Sequence, residues 1–141
     1  MIKKFHVLFS IGCILGVFLV ICSFTDTLAK EKCSIVRIDR AEDQTKTITP
    51  DNIYIKKGDC VVWINWIPDE DVKIVFTDAD KCSEGTRAPQ GFKTEKGCYT
   101  AHLLNYGDIS SLLFVQEGTF QYEIQNTAGV VLKSGAVNVE R

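Results

Sequence analysis

Short runs of β-branched and aromatic residues, separated by turn signals, constrain the fold of this chain more than any other feature. After residue 30 no apolar pattern repeats at the helical period, whereas several short runs alternate or are continuously apolar. Seven or eight such runs indicate an all-β protein, either an antiparallel-rich sandwich or a barrel. The runs are Ser34–Ile38, Ile53–Ile55, Cys60–Trp66, Val72–Phe76, Leu112–Val115, Thr119–Gln125 and Ala136–Val139, with Gly129–Leu132 as an eighth.

Residues 77–110 form a polar stretch that the pattern predicts to be one long loop. Loops beyond about 12–15 residues are usually functional or held in place by a constraint. We therefore expect a covalent link within this loop. Its turn-forming residues are Gly85, Pro89, Gly91, Gly97 and Gly107.

The first 29 residues have the pattern of a secretory signal peptide, which predicts an N-terminal signal helix. Lys3 and Lys4 precede an apolar run from Val7 to Cys22, and Thr27–Ala29 supplies small residues for cleavage. An uncleaved anchor is the alternative, because this apolar segment is about as long as the ~20 residues of a membrane span. Either alternative delivers residues 30–141 as one domain to the periplasm or the extracellular space, with membrane contact only through an uncleaved N-terminal segment.

Four cysteines follow the signal region, and in an oxidising compartment an even number indicates disulfides. They are Cys33, Cys60, Cys82 and Cys98, which allow three pairings. Cys82 and Cys98 bracket one polar segment, so we favour a bond between them. Cys33 and Cys60 either pair or stay reduced.

Histidine and methionine are scarce in this 141-residue chain, which contains two histidines and one methionine. Met1 and His6 lie in the signal region, so His102 is the only histidine of residues 30–141. Sites built from several histidines within one chain are therefore excluded. The formal charge of −2 and the lack of a basic stripe argue against a nucleic-acid partner. No local pattern marks a nucleophile or a pair of catalytic carboxylates, so we expect no catalytic residues and no enzyme.

Two segments resemble the cupredoxin family. Residues 48–65, ITPDNIYIKKGDCVVWIN, are similar to the family's segment that joins its second and third strands. Residues 113–122, LFVQEGTFQY, resemble the segment before the family's metal loop, and Ala136–Val139 resembles the closing strand. The resemblance covers nearly all of residues 34–140. It implies a plastocyanin-type, Greek-key β-sandwich of seven to eight strands.

The residues that the resemblance aligns with copper ligands are not ligands. Cupredoxins bind type-1 copper through two histidines, a cysteine thiolate and a long axial methionine. The resemblance places Asp71 or Val72 at the first histidine, Ile124 at the cysteine and Thr127 at the second histidine, and the methionine has no counterpart. The resemblance therefore implies the fold without the blue-copper site, and we expect no cofactor and no metal.

The remaining candidates suggest a docking surface. Trp66 opens a loop that in cupredoxins lies at the metal end of the sandwich, and exposed aromatic residues there favour binding of an unknown protein or small-molecule partner. The alternative is that these aromatic side chains fill the space of the missing copper site. The candidate binding residues are Trp66, Ile67, Asp69, Asp71, Tyr99, His102 and Tyr106. The expected function is an exported, non-catalytic binding or accessory module.

A rival hypothesis is metal binding or electron transfer at an atypical site. His102, Cys82 and Cys98, with Asp78 and Asp80 in the same segment, have the donor atoms that zinc or copper prefers. A disulfide between the two cysteines would remove their thiolates and with them this site.

Overall fold

Buried and exposed side chains alternate along the strands of the part that the structure describes. The computed structural model describes residues 32–78, 84–95 and 98–141, and the predicted signal peptide lies outside these residues. No helix among them is long and apolar enough to span a membrane. The described strands are β1 (Cys33–Arg40), β2 (Lys46–Thr49), β3 (Asn52–Lys56), β4 (Cys60–Asn65), β5 (Val72–Phe76), β6 (Thr86–Gln90), β7 (Phe92–Glu95), β8 (Cys98–Ala101), β9 (Ile109–Phe114), β10 (Gly118–Asn126) and β11 (Val131–Glu140).

The strands form two sheets. Sheet I has the order β2-β1-β4-β9-β6, and sheet II has the order β3-β11-β10-β5-β8-β7. The pairs β1–β4 and β3–β11 are parallel, and the other pairs are antiparallel. The predicted all-β sandwich is confirmed, although the described residues contain eleven strands rather than seven or eight.

The expectation of one long loop over residues 77–110 is wrong in part. This segment contains β6, β7 and β8, and β9 begins at Ile109. β6 and β7 are the edge strands of their sheets, and most β6 side chains are exposed. An exposed edge strand needs no apolar alternation, and it tolerates Pro89. The sequence pattern therefore had no periodic signal by which to detect it.

Trp63 lies at the centre of the core between the sheets. It is fully buried, and its ring makes edge-on contacts with Phe76, Phe92 and Tyr122 at centroid distances of 5.7, 5.8 and 5.5 Å. Aromatic pairs in this arrangement add to the stability that burial alone provides.

Cys33 and Cys60 form a disulfide. The sequence had left open whether these two residues pair or stay reduced. The two residues are register partners at the start of the parallel strands β1 and β4. Cys98 is also disulfide-bonded. Cys82 lies outside the described residues, so the Cys82–Cys98 bond stays a prediction.

Two polar atoms in the aromatic core lack hydrogen-bond partners among the described residues. They are the indole nitrogen of Trp63 and the hydroxyl oxygen of Tyr122. Burial raises the pKa of Tyr122 to about 12; the Trp63 indole is close enough to oppose this rise, but the two groups do not meet the geometry of a hydrogen bond. A buried hydroxyl without a partner pays a desolvation penalty that no hydrogen bond offsets.

We therefore expect Tyr122→Phe to leave the protein as stable as the wild type or up to about 1 kcal/mol more stable. The variant removes the unpaired hydroxyl and keeps the aromatic ring. Urea unfolding followed by fluorescence measures the difference, with Tyr54→Phe on an exposed side chain as the control. A loss of more than about 1 kcal/mol would contradict the assignment, because it would show that the hydroxyl makes a stabilising hydrogen bond.

Candidate functional site

Two of the predicted binding residues lie in contact at one end of the sandwich. Trp66 follows β4, Tyr106 precedes β9, and their ring centroids are 5.1 Å apart with planes inclined by 45°. Trp66 is 42% exposed and Tyr106 is 49% exposed. We call Trp66 and Tyr106 the aromatic pair. Adjacent exposed aromatic side chains are typical of surfaces that contact a partner.

The buried side chain of Asn65 fixes both loops that carry the aromatic pair. Its Nδ2 donates hydrogen bonds to the carbonyl oxygens of Glu70 and Leu104, both at 2.9 Å, and its Oδ1 accepts one from the amide of Ile67 at 3.0 Å. The backbone of Asn65 also exchanges hydrogen bonds with Gly107 and Asp108. One amide side chain therefore joins the β4–β5 loop to the segment before β9.

Ion pairs hold the far side of the β4–β5 loop against sheet I. The Arg40 guanidinium contacts Asp69 at 2.7 Å and Glu70 at 3.5 Å, and Lys46 contacts Glu70 at 2.5 Å. The hydrogen bond from Arg40 lowers the pKa of Asp69, and the same bond raises the pKa of Arg40. Asp69 is largely exposed, so this contact orients the loop more than it stabilises the fold.

A tight turn positions Tyr106. The Asp108 carboxylate accepts hydrogen bonds from the side-chain amide of Asn105 at 3.0 Å and from its backbone amide at 2.9 Å. These bonds lower the pKa of Asp108, with the side-chain bond as the larger cause. Carboxylates that accept local backbone hydrogen bonds are typical of fixed turns. Tyr106 therefore lies on a rigid support.

Two of the predicted binding residues, Ile67 and Tyr99, lie mainly in the interior rather than on the exposed surface. Ile67 is 0% exposed and belongs to the core, so its assignment to the docking surface is wrong. Tyr99 is half-buried and packs on Phe92 at a centroid distance of 6.3 Å, so it also contributes mainly to the interior. The cause is alternation, since Ile67 continues the inward-facing positions Val61, Trp63 and Asn65 of β4.

The other predicted residues are accessible. Asp69 and His102 are exposed, and Asp71 is half-buried. The amide of His102 donates a hydrogen bond to the carbonyl of Gly91 at 2.8 Å, which places His102 at the end of β8. Leu103 is also exposed and lies between His102 and the buried Leu104. It was not among the predicted binding residues.

The residues aligned with copper ligands contribute to the core or to a turn. Val72 and Ile124 are fully buried core residues on neighbouring strands β5 and β10. Thr127 lies in the β10–β11 turn, which Asn126 closes by accepting hydrogen bonds from the amides of Ala128 and Val130 through its side chain. Apolar packing and a closed turn thus occupy the region where the resemblance expects ligands.

Within the described ranges, no group of three histidine, cysteine, aspartate or glutamate residues is arranged to hold a metal ion. Cys82 and Asp80 lie outside these ranges. The hypothetical metal site around His102, Cys82 and Cys98 therefore stays untested by the geometry.

Comparisons with solved structures identify the fold. A purple cupredoxin from Nitrosopumilus maritimus aligns with a TM-score of 0.52 and 19% sequence identity, covering 76% of this chain and 99% of that chain. The Cu(I) form of a point mutant of amicyanin aligns with a TM-score of 0.50 and 20% identity, covering 78% of this chain and 84% of that chain. No protein-family model and no curated protein sequence matches the chain. At these identities the likeness establishes a cupredoxin-like fold and nothing about activity.

Proposed function

We propose that this chain is an exported, non-catalytic, cupredoxin-like accessory module that binds a partner protein through the aromatic pair. The observation that carries the proposal is the contact between the exposed rings of Trp66 and Tyr106 on two loops that Asn65 joins. Tryptophan and tyrosine are the residue types that most often dominate binding energy at protein interfaces.

Rigid support favours recognition over simple space filling. A side chain that is already held in its bound geometry loses little conformational entropy on association. Asn65 and Asp108 fix the backbone on both sides of the aromatic pair. If the rings only filled the space of a missing copper site, burial would be expected, yet nearly half of each residue is exposed.

The charged residues around the aromatic pair indicate which class of partner fits this surface. Asp69, Asp71 and Asp108 lie on the two loops that carry the aromatic pair, and Asp69 and Asp108 are exposed. Asp69 is paired with Arg40, but Asp71 and Asp108 leave the rim acidic, and an acidic rim repels phosphate backbones, so the proposed partner is not a nucleic acid. A partner protein with an apolar contact and a basic or neutral rim fits this surface best.

The disulfide supports the proposed location. Disulfides form and persist in oxidising compartments, and the Cys33–Cys60 bond belongs to the described domain. Together with the signal pattern of residues 1–29, it favours the periplasm or the extracellular space. A membrane contact would come only from an uncleaved N-terminal segment.

Site-specific photo-crosslinking tests the docking surface. A photoreactive phenylalanine analogue replaces Tyr106 in one variant and Tyr54, which is 70% exposed on β3, in the control. We expect a defined adduct in the producing cells from position 106 and none from position 54.

A competition experiment measures the contribution of Trp66. Excess wild-type protein should suppress the adduct, whereas Trp66→Ala should compete at least about 30-fold less well, as expected for a residue that dominates binding. Equal adduct yields at positions 106 and 54 would contradict the proposal.

Metal titration tests the rival function. Neither Val72 nor Ile124 can ligate copper, and a type-1 centre requires a thiolate. We expect the oxidised protein to bind neither copper(II) nor zinc stoichiometrically in calorimetry, and copper(II) to produce no thiolate-to-copper absorption band. Stoichiometric binding that disappears in His102→Ala and persists in Asp69→Ala would establish metal handling around His102 instead.

A further inference from the structure

We propose that the Cys33–Cys60 disulfide is a redox-active site that undergoes thiol–disulfide exchange with a protein dithiol. The proposal does not depend on the aromatic pair. It rests on the position of the bond in sheet I and on its exposure.

The bond lies on the outer face of sheet I rather than in the core. Along β1, Val36 and Ile38 are buried, so Cys33 and Ile35 project to the opposite side. Along β4, Val61 and Trp63 are buried, and Cys60 shares the outward side with Val62. The disulfide therefore joins two outward-facing side chains, with Cys33 exposed and Cys60 half-buried.

The strands do not need the bond to stay paired. Cys33 and Cys60 are the first of six register pairs between β1 and β4, and the other five run from Ser34–Val61 to Ile38–Asn65. Four of their inward side chains, Val36, Ile38, Val61 and Trp63, belong to the hydrophobic core. Cleavage of the bond would leave this ladder and the core contacts in place, so reduction is compatible with the native fold.

The exposure of the bond, rather than its geometry, favours cleavage. Their Cα atoms are 4.4 Å apart, within the range of about 4.4–6.8 Å found for disulfides. The parallel ladder sets this distance, because the two residues are direct register partners. Disulfides on exposed surfaces are more easily reduced than buried ones.

An apolar surface surrounds the bond on the same face. Ile35 is 67% exposed and is the register partner of Val62, while Leu113 is the register partner of Cys60 on the other side. A dithiol protein that approaches the exposed sulfur of Cys33 would therefore meet apolar side chains, which is the usual core of a protein contact.

The exchange balances without a further reactant. A thiolate of the dithiol attacks Sγ of Cys33, the Cys33–Cys60 bond breaks, and Cys60 leaves as a thiolate that takes up a proton. The second thiol of the reductant then loses its proton and attacks the mixed disulfide. Cys33 is released as a thiol, and the reductant ends as a disulfide. The protein gains two electrons and two protons, and the dithiol loses both.

Alkylation mapping tests the proposal with Cys98 as an internal comparison. The oxidised protein is mixed with a reduced thioredoxin-type dithiol protein, quenched with acid, and alkylated before peptide mass spectrometry. We expect Cys33 and Cys60 to be alkylated together and at least roughly tenfold faster than Cys98, which is disulfide-bonded and 5% exposed. The near-ultraviolet circular dichroism of the buried Trp63 should persist. A reductant whose second cysteine is serine should be trapped on Cys33.

Two outcomes would overturn the assignment. In the first, alkylation of Cys33 and Cys60 is no faster than that of Cys98. In the second, it appears only together with loss of the near-ultraviolet signal, which would show that reduction follows unfolding. The Cys33→Ala/Cys60→Ala variant serves as the control for the trapping step, and a trapped adduct in that variant would also contradict the proposal.

Discussion

Asn65→Ala is expected to lower the free energy of unfolding by about 3 kcal/mol, because it leaves three buried backbone groups without partners. The carbonyl oxygens of Glu70 and Leu104 and the amide of Ile67 all bond to this one side chain. Asn65 itself is fully buried, so water cannot replace these bonds without opening the loops. Urea unfolding of the variant and the wild type measures the difference.

A second amide provides the matched control for Asn65. Asn138 is half-buried on β11, where its side chain accepts a hydrogen bond from the Thr119 hydroxyl at 2.9 Å. Asn138→Ala should cost less than about 1 kcal/mol, because solvent can satisfy the groups that remain. Equal losses for the two variants would show that the Asn65 network does not hold the loops together.

The same network explains why the sequence identified the aromatic pair but not its support. The position of Trp66 after a strongly apolar strand predicted a loop residue, and its ring contacts that of Tyr106, while the binding role of both residues stays a prediction. The Asn65 side chain joins Leu104, 39 residues away, to its own loop. A hydrogen bond over such a separation leaves no periodic pattern in the chain, so a single sequence does not reveal it.

Ile67 shows the opposite case, because the sequence pattern does indicate that its side chain is buried. Buried positions recur at every second residue from Val61 through Ile67, although β4 ends at Asn65. The period of two therefore continues past the last strand residue, and extending it would have placed Ile67 inside and Trp66 outside. Strand boundaries mark the end of hydrogen bonding, not the end of side-chain alternation.

The edge strands limited the prediction for a different physical reason. The strongly alternating strands β3, β4, β5 and β10 each bury one face, and the apolar pattern predicted all of them. β6 buries only its first residue. Without a buried face, a strand forms through backbone pairing alone, which side-chain patterns do not record.

Gly135→Ala, in sheet II, is expected to lower the free energy of unfolding by about 2–3 kcal/mol through overpacking. Gly135 is the register partner of Tyr122, and a Cβ at position 135 would lie 2.5 Å from both Cζ and the hydroxyl oxygen of Tyr122. It would also lie 2.8 Å from the carbonyl oxygen of Asp51, which is backbone and yields little. Ser134→Ala, at the neighbouring exposed position, should change stability by less than about 0.5 kcal/mol.

A double-mutant cycle identifies the contact responsible for that loss. In a Tyr122→Leu background the phenol ring is absent, so the cost of Gly135→Ala should fall by at least about 1 kcal/mol. Urea unfolding of the wild type, the two single variants and the double variant gives this coupling energy. An unchanged cost in the Tyr122→Leu background would assign the strain to the Asp51 carbonyl instead. The glycine in β11 would then be required by the crossing from β2 to β3 rather than by the aromatic core, because Asp51 lies between those two strands.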